Sequence, residues 1–126
     1  MVGRWARLFV ALCACGSALA QTPSFWVGTW KVSWPNAQGR VQEAKMVVTE
    51  GGAGSWQTYT RALDNPCIGK EVPIQVEQAS DSEARILLKF ADAVAGCANS
   101  SVELKVGDNK AVTGVRGRLP LTLEKR

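Results

Sequence analysis

The chain has no histidine, which leaves few residues able to do acid–base or metal chemistry. Ser33, Ser55 and Ser101 have no imidazole to accept a proton and stand in no nucleophile-elbow pattern. A metal would need clustered carboxylates or thiolates, and the acidic residues are scattered singly. The nearest acidic pair, Asp81 and Glu83, reads as a solvated turn. Glu50-Gly51-Gly52-Ala53-Gly54 has the glycines of a phosphate cradle. It lacks the Lys-Ser/Thr that would follow in one, and no helix opens after it, so it reads as a hairpin tip. The expectation is a protein without catalytic residues, bound metal or cofactor, and therefore not an enzyme.

What remains is aromatic. Three of the five tryptophans fall in Phe25-Trp26-Val27-Gly28-Thr29-Trp30-Lys31-Val32-Ser33-Trp34. At the period of two that a strand imposes, Trp26, Gly28, Trp30, Val32 and Trp34 share one face. Gly28 leaves room for a neighbouring strand or ring to lie close. Trp30 belongs to the core, whereas Trp26 and Trp34 sit at the strand's ends, where rings can line a barrel mouth. Trp56 and Tyr59 point to opposite faces of one strand, so one of the two is exposed. Trp26, Trp34, Trp56 and Tyr59 are the candidate ligand-binding set; Gly28 and Trp30 are structural.

Residues 1–20 carry a short basic start (Arg4, Arg7), an apolar run from Leu8 to Cys15 and a small-residue end, Ala18-Leu19-Ala20, the layout of a cleaved signal peptide. The mature domain is expected over 21–126, beginning at Gln21, in the periplasm or outside the cell. A lipoprotein signal at Cys13 or Cys15 is the rival reading, but the better cleavage site follows both. The leader takes two basic and no acidic residues with it, so the net charge of +4 becomes +2. No basic run remains and no later window is apolar enough to span a bilayer, which disfavours nucleic acid and a membrane span. Cys67 and Cys97 are then the cysteines left in an oxidising compartment, an even count that implies one disulfide. Closing that loop contributes about 3–4 kcal/mol by chain entropy.

Alternation sets the remaining elements. Strands are expected over Val41–Thr49, Ser55–Arg61, Glu71–Gln78, Glu83–Phe90, Ser101–Val106, Ala111–Arg116 and Leu119–Leu123. Turn chemistry lies at Pro35–Gly39, Asp64-Asn65-Pro66, Ala79–Ser82 and Gly107–Lys110. Pro73 suggests an edge or a bulge in the fourth strand. Ala91–Asn99 could hold one helical turn, and Asn99-Ser100-Ser101 matches a glycosylation sequon on a surface loop, a match that is coincidental if the chain is bacterial, the favoured reading. No segment is long and periodic enough for a substantial helix. The expected fold is all-β: one small antiparallel meander barrel or sandwich of about eight strands. Alternating strand directions put the starts of the fourth and sixth strands at one rim, where Cys67 and Cys97 can meet.

Gly28-Thr29-Trp30 opening a small exported all-β chain with a basic end (Arg116, Arg118, Lys125, Arg126) resembles the calycin group: lipocalins, avidins and the bacterial metalloprotease inhibitors of the serralysin-inhibitor family. The resemblance implies that the Trp30 ring closes the barrel floor beneath a basic side chain from the last strand, with Arg118 or Arg126 as the cation–π partner. It also implies non-catalytic binding, of either a small hydrophobic or ring-bearing ligand or a secreted enzyme. In the second case the protein would be an inhibitor whose flexible start, Gln21-Thr22-Pro23-Ser24, inserts into a protease. A surface antigen or assembly subunit without a small ligand is the remaining possibility.

Overall fold

The computed structural model describes residues 22–59 and 65–126. The expected leader, the mature start at Gln21, the end expected for the third strand at Thr60 and Arg61, and Asp64 lie outside them. Eight strands run β1 Gly28–Pro35, β2 Val41–Val48, β3 Ala53–Thr58, β4 Val72–Ala79, β5 Glu83–Leu88, β6 Ser100–Val106, β7 Val112–Arg116 and β8 Leu119–Lys125. One turn of helix, α1 Phe90–Ala93, lies between β5 and β6. Each strand pairs antiparallel with the next, and β8 returns to β1, so the sheet closes into a barrel in meander order. The closing ladder runs from Trp30↔Lys125 to Ser33↔Thr122. Beyond it the Arg126 amide donates to the Thr29 carbonyl at 2.8 Å. Closure removes the unpaired edge that an open sheet of this size would present to another chain.

The inward faces follow the period of two. Trp30 and Val32 of β1, Ala44, Met46 and Val48 of β2, Trp56 and Thr58 of β3, and Ile86 and Leu88 of β5 are all buried. With Thr58 as the one polar member, they fill the barrel with mostly large apolar side chains, as a small barrel must if its interior is to be dry. Burying them supplies most of the folding drive at roughly 25 cal/mol per Å² of apolar surface.

Because the strands alternate in direction, the connections sort into two ends. The 22–27 segment, the β2–β3, β4–β5 and β6–β7 loops and the chain end lie at one, called here the floor. The β1–β2, β3–β4, β5–β6 and β7–β8 connections form the opposite rim. The Cys67–Cys97 disulfide joins the loops ahead of β4 and β6 at that rim, with Cα atoms 5.8 Å apart. At the β1–β2 hairpin, Asn36 Oδ1 accepts from the amides of Gln38 and Arg40, both at 2.9 Å, so the turn is held by its own side chain.

Two expectations are corrected. Trp26 is not on the first strand: the chain turns at Ser24–Trp26, with the Trp26 amide donating to the Pro23 carbonyl at 3.0 Å, and the strand starts at Gly28. Gly28 has φ +133°, a conformation that breaks the alternation read through it. Pro73 marks neither an edge nor the bulge. A closed barrel has no edge, and the β4 irregularity lies between Val76 and Gln78. Pro73 sits where the β4–β5 ladder ends, accepting from the Lys89 amide at 2.9 Å, so its missing donor costs little.

Candidate functional site

The two ends of the barrel use the same kinds of residue differently. At the floor, Trp26 and Trp30 are 0% and 2% exposed, with ring centroids 5.9 Å apart. Trp30 Nε1 donates to the Trp26 carbonyl at 2.9 Å, and Trp26 Nε1 donates to the Ser80 carbonyl at 2.6 Å. Both indole N–H groups are thereby satisfied, as burial demands. The cation over Trp30 is Lys125, its Nζ 5.0 Å from that ring and 5.6 Å from Phe25, and it donates to the Phe25 carbonyl at 2.6 Å. Neither Arg118 nor Arg126 takes this place: Arg118 lies in the β7–β8 hairpin at the far end, exposed to solvent. β8 runs two residues beyond the expected end at Leu123, and its parity turns Lys125 to the floor. A Cβ on Gly28 would meet Lys125 Cε at 3.1 Å, so Gly28 makes room for a lysine stem.

The segment ahead of β1 is not a free arm. Thr22 is buried, its amide donates to the Glu50 carbonyl at 3.1 Å, and the Val27 amide donates to Ser24 at 3.2 Å. Thr22 therefore lies docked on the barrel, and Pro23 and exposed Ser24 lead into the turn ahead of β1. The segment expected to insert into a protease is thus held at Thr22 in this structure; Gln21 lies outside the described residues. Trp26, expected at a mouth, closes the floor from within.

At the rim, Trp34 is half-buried and stacks on Trp56, with centroids 6.1 Å apart and planes at 18°. Trp56 is fully buried, its Nε1 donating to Thr58 Oγ1 at 3.1 Å. It therefore stands behind Trp34 instead of lining the mouth as expected. Tyr59, just past the end of β3, is 56% exposed and faces outward. Of the four residues expected to bind a ligand, the structure brings Trp34 and Trp56 into contact, sets Tyr59 on the outer wall and places Trp26 at the opposite end.

The residue that sequence reading missed is Arg116. On β7 the inward positions are Val112, Gly114 and Arg116, while Val115 faces solvent at 41% exposure. The guanidinium carbon lies 5.1 Å from the Phe90 ring and 6.0 Å from the Trp56 ring, and Nε donates to Ser100 Oγ at 2.8 Å. Burial pulls its pKa down from the usual arginine range, since desolvation disfavours the charged form. Among the described residues, no carboxylate pairs with it. The signal lay in the order Val115-Arg116, which at strand parity turns one of the pair inward. Gly114 and Gly117, without side chains, gave no clue as to which.

No three His, Cys, Asp or Glu side chains converge among the described residues, and no helix among them is long and apolar enough to cross a membrane. No protein-family model matches the chain, and no curated protein or solved structure matches it either.

Proposed function

We propose that the protein is an exported, non-catalytic binding protein of calycin-like barrel type, and that it meets a small ring-bearing ligand at the rim. The observation that carries this reading is the filling of the barrel. Trp26, Trp30, Met46 and Trp56 are essentially without exposed surface, so a ligand has to be met at an end or on the wall. The floor is closed by its own N-terminal segment and by Lys125. At the rim, half-buried Trp34 backs onto Trp56, and a ring stacking on it would gain contact area at little entropic cost. The calycin likeness draws support from the closed eight-strand antiparallel meander together with a first-strand tryptophan beneath a last-strand cation. A disulfide at the rim suits an oxidising compartment.

Titration with benzyl alcohol, a ring-bearing probe that does not emit in the tryptophan range, tests the reading. We expect a saturable change in intrinsic fluorescence that disappears in Trp34→Ala and persists in Lys125→Met at the floor. An unaltered response in Trp34→Ala would exclude the rim.

A second reading, an inhibitor of a secreted enzyme, is favoured by the outer wall. Val115 pairs with Pro120 and Pro35 with Val41, and the register through Ser33↔Thr122 brings the two prolines level. The result is an exposed apolar row across four strands, with Val41 66% exposed and Tyr59 nearby. Exposed apolar rows of this kind mark partner surfaces. Inhibition of a secreted protease that survives Trp34→Ala and is lost in Val41→Glu would select this reading over the first.

A further inference from the structure

We propose that the rim carries an oxyanion site centred on the Arg116 guanidinium, and that the ring-bearing ligand it takes is a carboxylate. The inference rests on the rim reading above and adds the ligand's charged group to it.

Two charged side chains stand at inward positions of the described strands, Lys125 at the floor and Arg116 at the rim. Both lie against two aromatic rings. Lys125 completes its environment with the Phe25 carbonyl and remains exposed. Arg116 is half-buried, and the rings of Phe90 and Trp56 cover its guanidinium while Ser100 takes Nε–H. That leaves the terminal amino groups, which have no protein acceptor among the described residues. Arginine stays charged in proteins, and a half-desolvated cation without an anion is costly to keep. The planar edge of two amino groups fits a carboxylate bidentately, a geometry that a lysine could not offer.

The surroundings favour an incoming anion. The acidic residues nearest along the neighbouring strands face outward and are engaged: Glu103 with Arg85 at 3.3 Å and Glu124 with Lys31 at 3.8 Å. In the rim connections, Arg40, Lys70 and Arg118 are exposed, and Lys89 already holds Asp92 at 3.8 Å. Glu71 is the remaining acid there among the described residues. The described part of the rim is therefore net positive and would draw anions toward it, an effect that falls with salt.

Three probes separate the parts of this proposal: benzoate carries ring and carboxylate, benzamide the ring alone, and acetate the carboxylate alone. Binding is read by tryptophan fluorescence and by the Nε–Hε resonance of Arg116. We expect benzoate to bind saturably and at least tenfold more tightly than benzamide, with acetate shifting the Arg116 resonance at higher concentration. Arg116→Gln should reduce benzoate affinity to the benzamide level, and Arg116→Lys should recover only part of it; Arg116→Lys serves if the first variant does not fold, since a lysine cannot offer the bidentate edge and should weaken benzoate without affecting benzamide. Equal binding of benzoate and benzamide, unchanged in Arg116→Gln, would overturn the oxyanion site and leave the rim reading standing. An acetate shift with no binding of either ring would keep the site and overturn the ring-bearing ligand. No response to any probe would overturn both.

Discussion

The floor and the rim of this barrel are built from one motif, a cation laid over two aromatic rings, yet they differ in what the cation's remaining donors meet. At the floor, Lys125 over Phe25 and Trp30 reaches the Phe25 carbonyl, and both indoles donate to backbone oxygens. Both buried indole N–H groups there have a partner from the chain itself, and the exposed Lys125 ammonium gives one N–H to the chain and turns the rest to solvent, so no donor at this end is both desolvated and unpaired. At the rim, Arg116 over Phe90 and Trp56 spends only Nε, on Ser100. The same residue classes thus make a finished lid at one end and an unfinished one at the other. A cation–π stack by itself does not mark a site; what distinguishes the ends is polar satisfaction.

The largest expected effect that could break this contrast is on the floor. Trp30→Ala removes a buried indole from beneath Trp26 and Lys125, and should cost about 3–5 kcal/mol. Trp34→Ala, which empties a half-exposed position at the rim, should cost clearly less. Chemical denaturation of the two variants checks it. Equal losses would mean that the rim is as much a part of the core as the floor. Next in size is the disulfide. Replacing Cys67 and Cys97 by serine frees a loop of sequence separation 30 and should remove about 3–4 kcal/mol by chain entropy. Because chain entropy acts through the unfolded state, every amide that exchanges by global unfolding should lose protection by that amount, and amides around α1, whose loop the bond ties down, should lose more through local opening. A loss around α1 no larger than that at the floor would show that the two ends do not open separately.

Much of this architecture was legible because strands report themselves twice, through alternation and through turn chemistry. Val41–Val48 reads as half-buried from Ala44, Met46 and Val48 against Glu43 and Lys45. The direction rule then put Cys67 and Cys97 at one rim before any contact was known. The site was harder to read for local reasons. Alternation carried through Gly28 placed Trp26 on the strand face, because nothing in a period of two announces that the backbone there takes φ +133° and that the chain turns before it. The identity of the floor cation depended on how far β8 ran, and strand ends are the least legible feature of a sequence. Arg116 stayed hidden because the glycines beside it carry no side chain to reveal the face, and because an arginine at a strand's end ordinarily reads as solvated.

Gly28 gives a third, smaller test. Gly28→Ala forces an L-residue to hold a positive φ of +133° and sets its Cβ against Lys125 Cε, 3.1 Å away. Strain of this kind costs about 1–3 kcal/mol. In a Lys125→Ala background the steric part should vanish and the conformational part remain, so the double variant should lose less than the sum of the two singles. Strict additivity in a thermal-denaturation cycle would mean that Gly28 serves backbone conformation alone and has no part in seating the lysine.

The smallest expected effect is also the one that discriminates best between the ends. Lys125→Met keeps an apolar stem over the floor but deletes the donor to the Phe25 carbonyl, and should destabilise by about 1 kcal/mol, the net worth of such a bond. Arg116→Met removes a half-desolvated cation that has no carboxylate partner among the described residues. Here the lost bond to Ser100 is set against a recovered desolvation penalty, and replacement of a buried charge by an apolar side chain of similar size is often neutral or stabilising. The midpoint of Arg116→Met in urea should therefore equal or exceed that of the parent at low salt. If Arg116→Met fell as far as Lys125→Met, the guanidinium would be structural glue like the floor lysine, and the difference between the ends would collapse. If instead it gained stability in buffer but lost that advantage when benzoate was added to both proteins, the rim cation would be one that the fold tolerates and the ligand satisfies, since an anion that binds only the parent's folded state stabilises the parent alone.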